Sequence, residues 1–379
     1  MRRQSYPAAR SISSKIQAYF AQHAGEADHH GRQPIASLPD AETIEAIIDA
    51  AFWTSLRREE GYVPRISLAF LSPEETVHPL IFERPLPLDP ATLTRVAPAV
   101  ERAGIHLGVS RVADDLFVWG TTRVIPTLCF VLEVAAPGLL VIKHHRGQEL
   151  GKFVNVAVLE GDQIKLIDEH ASSLPECPEL LASLLGFDSP VSWLDSVNVL
   201  VQLAVSMRAH QRGGSLLVVD SGSNCWGESI VQPIPYAVSP PLSELAQLSR
   251  EGPDPGLRKT WQEELRRSVD AIAGLTAVDG AAVLTNQYEL LGFGAKISRR
   301  RGQARVEQVT VTEPVQGIVA AVVHPEHLGG TRHLSAAQFI HDQRDALALV
   351  ASQDGRFTVF AWSPCEGMVH AHRVETLLM

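Results

Sequence analysis

Leu216-Leu217-Val218-Val219 and Ala281-Ala282-Val283-Leu284 are apolar at every position rather than at alternate ones. A strand turns successive side chains to opposite faces, so a run of this kind has to be buried on both. Between and around these runs the apolar residues recur at helical spacing, over residues 194–210, 240–250, 259–272 and 335–343. Further strand-like runs cover residues 290–295, 317–324, 346–351 and 357–361. Strands interleaved with helices imply α/β (α+β mixed) architecture, with a central mixed β-sheet flanked by helices.

The first half has a different rhythm. Ile44, Ile47, Ile48, Ala51 and Phe52 recur at helical spacing, with Asp40 as N-cap and Glu42 in the first turn. That helix is expected to run to about Arg58 and to stop at Gly61. An alternating strand follows at residues 65–70, then a Pro-rich connection at 82–98. Strands are predicted at 117–119, 129–134, 139–143, 154–159 and 163–167, separated by turn pairs such as Pro137-Gly138 and Gly161-Asp162. This half reads as a mixed α/β domain. With 379 residues the chain suits two domains of ~150 residues each. The expected division is a flexible N-terminal arm over 1–38 with a short helix near 16–23, a domain over 39–190 ending in a linker at 174–190, a second domain over 191–365, and a tail over 366–379.

A formal charge of −10 excludes a general nucleic-acid binder, which is normally basic. It leaves room for a nucleotide site, which needs only local positive charge. Cys129, Cys177, Cys225 and Cys365 form no C-x-x-C pair, so reduced thiols are expected rather than a zinc site or disulfide framework. The two N-terminal arginines precede no apolar core, and the apolar stretch 124–142 is broken by Pro126, Glu133 and Pro137. The expectation is a cytoplasmic protein with no membrane or nucleic-acid partner.

The polar chemistry of the second half sits in two segments. One is Asp279-Gly280-Ala281 at the start of an apolar strand. The other is Gly329-Gly330-Thr331-Arg332-His333-Leu334-Ser335-Ala336-Ala337, just before a helical stretch. Glycines let a backbone come close to a ligand, and a helix N-terminus offers free N–H groups and the positive dipole end. A hydroxyl, a guanidinium and an imidazole are donors suited to oxyanions, the guanidinium with a fork that fits phosphate. A lone aspartate is more often a turn or N-cap carboxylate; its pairing with Thr-Arg-His points to a polyphosphate. The run Arg299-Arg300-Arg301 is read as a solvated loop that could steer an anion.

The order of these pieces resembles the diadenylate cyclase domain of the DisA-type (DNA-integrity-scanning) proteins. The matching segments are the Asp279-Gly280-Ala281 turn, Gly330-Thr331-Arg332-His333, Asp345-Ala346-Leu347 leading to Val350-Ala351-Ser352, and the strand after Gly213-Gly214, together covering about residues 195–362. The resemblance implies condensation of two ATP molecules (or another purine nucleotide) to a cyclic dinucleotide and two pyrophosphates, across a homodimer or higher oligomer. It implies that Asp279 is catalytic and holds Mg²⁺ or Mn²⁺. It also implies nucleotide contacts from Gly280, Ala281, Gly330, Thr331, Arg332 and His333, with Ser352 at the purine edge. The chain departs from the family at Leu334, where the family has a second arginine, at Val278, where it often has histidine, and at Gln353, where it has an acidic residue. A nucleotide sensor that binds without cyclising is therefore the alternative; an adaptor that uses the fold only to dimerise is a weaker one. Residues 47–61, Ile-Ile-Asp-Ala-Ala-Phe-Trp-Thr-Ser-Leu-Arg-Arg-Glu-Glu-Gly, resemble the sensor-type domains labelled DACNV that are fused to such modules. Phe52 and Trp53 are expected in the core there, with Arg57 and Glu59 the charged residues a ligand could use.

Overall fold

The structure, a computed structural model, describes residues 5–29, 35–145, 153–168, 199–252 and 258–379. The chain forms two compact units, Met1–Ile167 and Asp168–Leu378. The linker expected at 174–190, with the boundary after 190, and Cys177 lie outside the described residues. Both units are mixed α/β, as the apolar patterning predicts.

In the first unit helix α1 (Pro7–His29) precedes α2 (Ala41–Ser55), and the strands are β1 (Ser67–Phe70), β2 (Leu80–Pro87), β3 (His106–Val112), β4 (Asp115–Thr122), β5 (Phe130–Ala136), β6 (Leu139–His145), β7 (Phe153–Glu160) and β8 (Gln163–Leu166), with α3 (Pro90–Val96) between β2 and β3. They form one sheet in the order β2-β4-β3-β1-β5-β6-β7-β8, parallel only between β1 and β3. The α2 N-terminus forms where its side chain chemistry directs: Asp40 accepts the Thr43 N–H at 2.8 Å. Ile44, Ile47, Ile48 and Ala51 then lie fully buried against Leu68, Phe130, Leu132 and Ile142 of the sheet.

Residues 7–29 correct the expectation of a flexible arm. They form a helix whose Ala9, Ile12, Ile16 and Phe20 join the same core, and Tyr6 stacks on Phe52 with ring centroids 3.7 Å apart. The spacing 9, 12, 16, 20 is an amphipathic stripe diluted by intervening Ser and Lys. Phe52 is half-buried beneath that stack, while Trp53 is half-buried on the neighbouring face of α2. The Pro-rich connection contains β2 and α3. Pro85 and Pro87 are tolerated because β2 is an edge strand, where a missing N–H removes no ladder bond.

The second unit holds helices α4 (Val199–Ala209), α5 (Glu244–Glu251), α6 (Arg258–Leu275) and α7 (Thr331–Asp342). Its strands are β9 (Gly214–Val219), β10 (Tyr236–Leu242), β11 (Ala281–Thr285), β12 (Leu290–Ala295), β13 (Val309–Thr312), β14 (Ala321–Val323), β15 (Leu347–Ala351), β16 (Phe357–Ser363) and β17 (Met368–Arg373). The sheet order is β10-β12-β11-β9-β15-β16-β17-β13-β14, with β9 parallel to β11 and β13 parallel to β17. Alternate residues of β9 feed two cores. Leu216 and Val218 pack with Leu203, Leu265 and Val269 of α4 and α6; Leu217 and Val219 pack with Ala336, Phe339 and Ile340 of α7. The expected tail is also structured: β17 pairs along β16, and Val374 and Leu378 are buried. The helix predicted from residue 240 starts at Glu244, because residues 240–242 finish the edge strand β10. Among the described residues no helix is long and apolar enough to cross a membrane.

The packing of α1 has a measurable consequence. Phe20 is 1% exposed, and Phe→Ala truncation in a core costs about 3–5 kcal/mol. Phe20→Ala should lower the unfolding free energy of the first unit by that order, read as a lower urea midpoint, and leave the second unit's transition in place. An unchanged first transition would return residues 7–29 to the role of an arm.

Candidate functional site

Four chain segments meet at one end of the second sheet. β15 runs antiparallel to β9 with Ala351 opposite Gly214, and β11 runs parallel to β9 from Ala281. The start of β9, the start of β11 and the end of β15 therefore share an edge, and the α7 N-terminus joins them. Arg332 makes the junction. A β-carbon on Gly213 would stand 2.9 Å from Arg332 Nη1 and 3.3 Å from the Ala351 carbonyl oxygen, so the guanidinium lies against the Gly213 backbone, whose φ of +71° favours glycine. Arg332 has no hydrogen-bond or ion-pair partner among the described residues, and its positive charge helps hold the Asp279 carboxyl low.

Asp279 is 94% exposed at the turn into β11. Lys296, just past β12, donates to its Oδ2 at 2.5 Å, and this hydrogen bond and charge are the main reasons its pKa is lowered. Gly280 has φ +116°, and a β-carbon there would stand 2.4 Å from the Gly294 backbone carbon. The side of Gly280 where a side chain would stand is thus occupied by β12. Ala281 is 1% exposed and belongs to the core beneath the sheet. These two residues shape the turn that presents Asp279.

On α7, Gly330 is the N-cap and no side chain caps the helix. Thr331 opens the first turn and is exposed. His333 is placed differently from its expected role: the residue is 3% exposed, its ring lies edge-on to Phe360, and its Nε2 is buried without a partner. Burial, followed by the Arg373 charge, pushes its pKa down to about 4, so it is a neutral imidazole and adds no positive charge at neutral pH. Ser352 is half-buried in the turn after β15, where its N–H donates to the Arg356 carbonyl at 2.9 Å and its hydroxyl bonds Asp354. Of the arginine run, Arg300 is tied to Glu228 at 2.6 Å, while Arg299 and Arg301 are exposed.

Two neighbours of Asp279 escape sequence reading. Lys296 reaches it only because β12 folds back on β11 with register shifts. Tyr236, 52% exposed on β10, stacks on Phe293 at 4.8 Å and lies against Gly294, which also packs beside the Asp279 carbonyl. Among the described residues no three His, Cys, Asp or Glu side chains are grouped to hold a metal. A divalent ion here would rest on Asp279 and on phosphate oxygens, a donor set Mg²⁺ accepts.

The first unit carries a cleft of about 800 Å³ between α2, the β2–α3 junction and the β3–β4 turn, lined in part by Trp53, Arg57, Arg111 and Asp115. Glu59, by contrast, is in a backbone bridge with Tyr62 beyond α2.

His333 gives the second unit a pH dependence. Its folded pKa, about 4, lies below the unfolded value of 6.5, so the stability it contributes is complete above pH 6.5 and is lost as pH falls toward 4. Unfolding followed between pH 7 and 4 should show the second unit losing on the order of 2–3 kcal/mol through this group. His333→Gln, which cannot take up a proton, should flatten that slope. An identical slope in the variant would assign the loss elsewhere.

Comparison with curated proteins gives no match to this chain. Residues 33–123, which include α2 and every wall of the first unit's cleft, match the family described as "Probable sensor domain DACNV".

Proposed function

We propose that the second unit binds a purine nucleoside triphosphate, ATP in the first instance, and that the chain joins a sensor domain to nucleotide chemistry. The observation that carries this reading is Arg332: an unpaired guanidinium at the uncapped N-terminus of α7, laid over Gly213 and close enough to Asp279 to act on its charge. A helix N-terminus with a free guanidinium suits a triphosphate, and an exposed carboxylate beside it suits the attacking hydroxyl. Thr331 and the Gly329–Gly330 backbone complete the phosphate donors. Tyr236 offers a ring face near Asp279, and Ser352 lies at the strand end expected to face the purine.

The reaction is diadenylate cyclisation in a homodimer. Each 3′-oxygen forms a bond to the α-phosphorus of the other ATP, the bond to pyrophosphate breaks, and the hydroxyl proton leaves toward Asp279 or solvent. One ATP per unit makes a second copy of the chain a requirement. Bound Mg²⁺ or Mn²⁺ would supply charge neutralisation at the phosphates. ATP as substrate places the reaction in the cytoplasm. Two features favour a second reading, a sensor that binds nucleotide without cyclising it: Leu334 offers no charge, and Lys296 already holds Asp279.

Incubation of the full chain with ATP and Mn²⁺, with mass spectrometry of products, decides between them. Cyclic dinucleotide should form slowly. Arg332→Ala should weaken ATP binding by about 1.5–3 kcal/mol, the worth of a charge-assisted hydrogen bond. Asp279→Asn should abolish product while sparing most binding, and Leu334→Arg should raise turnover. Calorimetric binding with no product in either the native chain or Leu334→Arg selects the sensor reading; no ATP binding at all overturns both.

A further inference from the structure

Helix α2 carries two stripes. One, through Ile44, Ile47, Ile48 and Ala51, is buried in the core. The other, through Glu42, Ala46, Asp49 and Trp53, lines the cleft of about 800 Å³, and Arg57, just past the helix, continues that wall. That volume is within the range of small-ligand sites, roughly 300–1,000 Å³. The matched sensor region contains the whole cleft. What the cleft would hold follows from which of its charges are already satisfied.

Arg111 is engaged. It donates to Thr43 Oγ1 at 2.7 Å and to Asp40 at 3.4 Å, with Glu42 at 3.9 Å. Asp49 accepts the Tyr6 N–H at 2.6 Å, and Asp89 caps α3 through Ala91 and Thr92. Four polar groups are left. Asp114 and Asp115, exposed on the β3–β4 turn, and Arg57, exposed just past α2, have no hydrogen-bond or ion-pair partner among the described residues. The Trp53 Nε1 is buried with no acceptor. Trp53 is in the last turn of α2 and Arg57 follows just past its C-cap Leu56, so both lie at that end of the cleft.

The free groups are therefore sorted by sign along the cleft. The Arg111 bond to Thr43 pins the β3–β4 turn, with its two free carboxylates, beside the first turn of α2. The free guanidinium and indole N–H lie at the other end, with about 18 Å of helical rise between Thr43 and Ser55. Between them the walls are apolar: Ala46, Ala50, Leu116 and Phe117. A ligand that answers all of this has an ammonium at one end, a carboxylate at the other and an apolar-tolerant body about 10–17 Å long. Three to five extended residues, at ~3.3–3.6 Å each, have that length. We propose that the cleft is a binding site for a short peptide with both termini free, its ammonium at Asp114 and Asp115 and its carboxylate at Arg57. A polyamine leaves Arg57 without an acceptor. A polyanion meets five carboxylates against two guanidiniums, one of them already paired. A single α-amino acid carries both charges on one carbon and cannot span the cleft.

This proposal stands on the first unit alone, and its test contains no nucleotide. The full chain is equilibrated by dialysis against a pool of tri- to pentapeptides with free termini, and the retained peptides are read by mass spectrometry. Parallel dialyses use the same pool N-acetylated, the same pool C-amidated, spermidine and citrate. Free-ended peptides should be retained saturably, and blocking either terminus should remove most of the retention. Arg57→Gln and the double variant Asp114→Asn/Asp115→Asn should each weaken binding of a retained peptide by about tenfold or more, with unchanged circular dichroism and unfolding midpoint. No retention from the free-ended pool overturns the proposal. So does equal retention of the blocked pools, undiminished binding by the variants, or retention of spermidine or citrate in place of peptides.

Discussion

The second unit is organised by β9 being dry on both faces. Leu216 and Val218 face α4 and α6, Leu217 and Val219 face α7, and all four are at most 5% exposed. Such burial is worth roughly 1.5–3 kcal/mol per side chain, and it is available only when helices cover both sides of the sheet. Because α7 must lie on one of those faces, its N-terminus is brought to the edge where β9 starts and β15 ends. The placement of Arg332 beside Gly213 and Asp279 is thus a by-product of core packing.

The charge pattern at that edge is one of weak, exchangeable contacts. The Asp279–Lys296 pair is exposed, and solvent screening leaves exposed pairs little net contribution to stability. A pair of that kind holds the carboxylate in place while it is idle and yields readily to a stronger partner. Arg332 has no competing anion of comparable strength, only the nearby field of Asp279. The first unit contrasts with this: Lys143 bonds Glu133 at 2.6 Å with its own side chain 9% exposed, and Ser67 Oγ lies 2.7 Å from His106 Nδ1 in a buried pair. Breaking a buried pair strands a charge without water, so that network serves register and rigidity, whereas the cleft along α2 keeps its free charges exposed.

Most of the architecture was legible in the sequence because its signals are periodic. The all-apolar runs of β9 and β11, the helical spacing of α2 and its Asp40 cap, and the strand runs of β5 to β8 bounded by turn pairs each reflect a local rule. The misses share a cause. β2 and β10 contain prolines and read as loops, yet proline is admissible at a sheet edge, and edge position is a property of the assembled sheet. The apolar stripe of α1 is sparse because the helix rests on a core supplied by residues far along the chain. β17 has polar alternation that shows its meaning only once β16 lies beside it.

At the site, the sequence by itself determined which chemistry is present: a carboxylate turn, a Gly-Thr-Arg-His segment before a helix, and a strand ending in serine. Those are choices of residue type and local spacing, which depend on neighbours in the chain. Tertiary structure decided what each group is free to do. It brought Lys296 onto Asp279 through the fold-back of β12, filled the space at Gly280 with the Gly294 backbone, and buried His333 as a neutral ring while leaving Arg332 unpaired. The physical reason is that charge state, exposure and pairing depend on distances between segments tens of residues apart, and local periodicity carries no record of those distances.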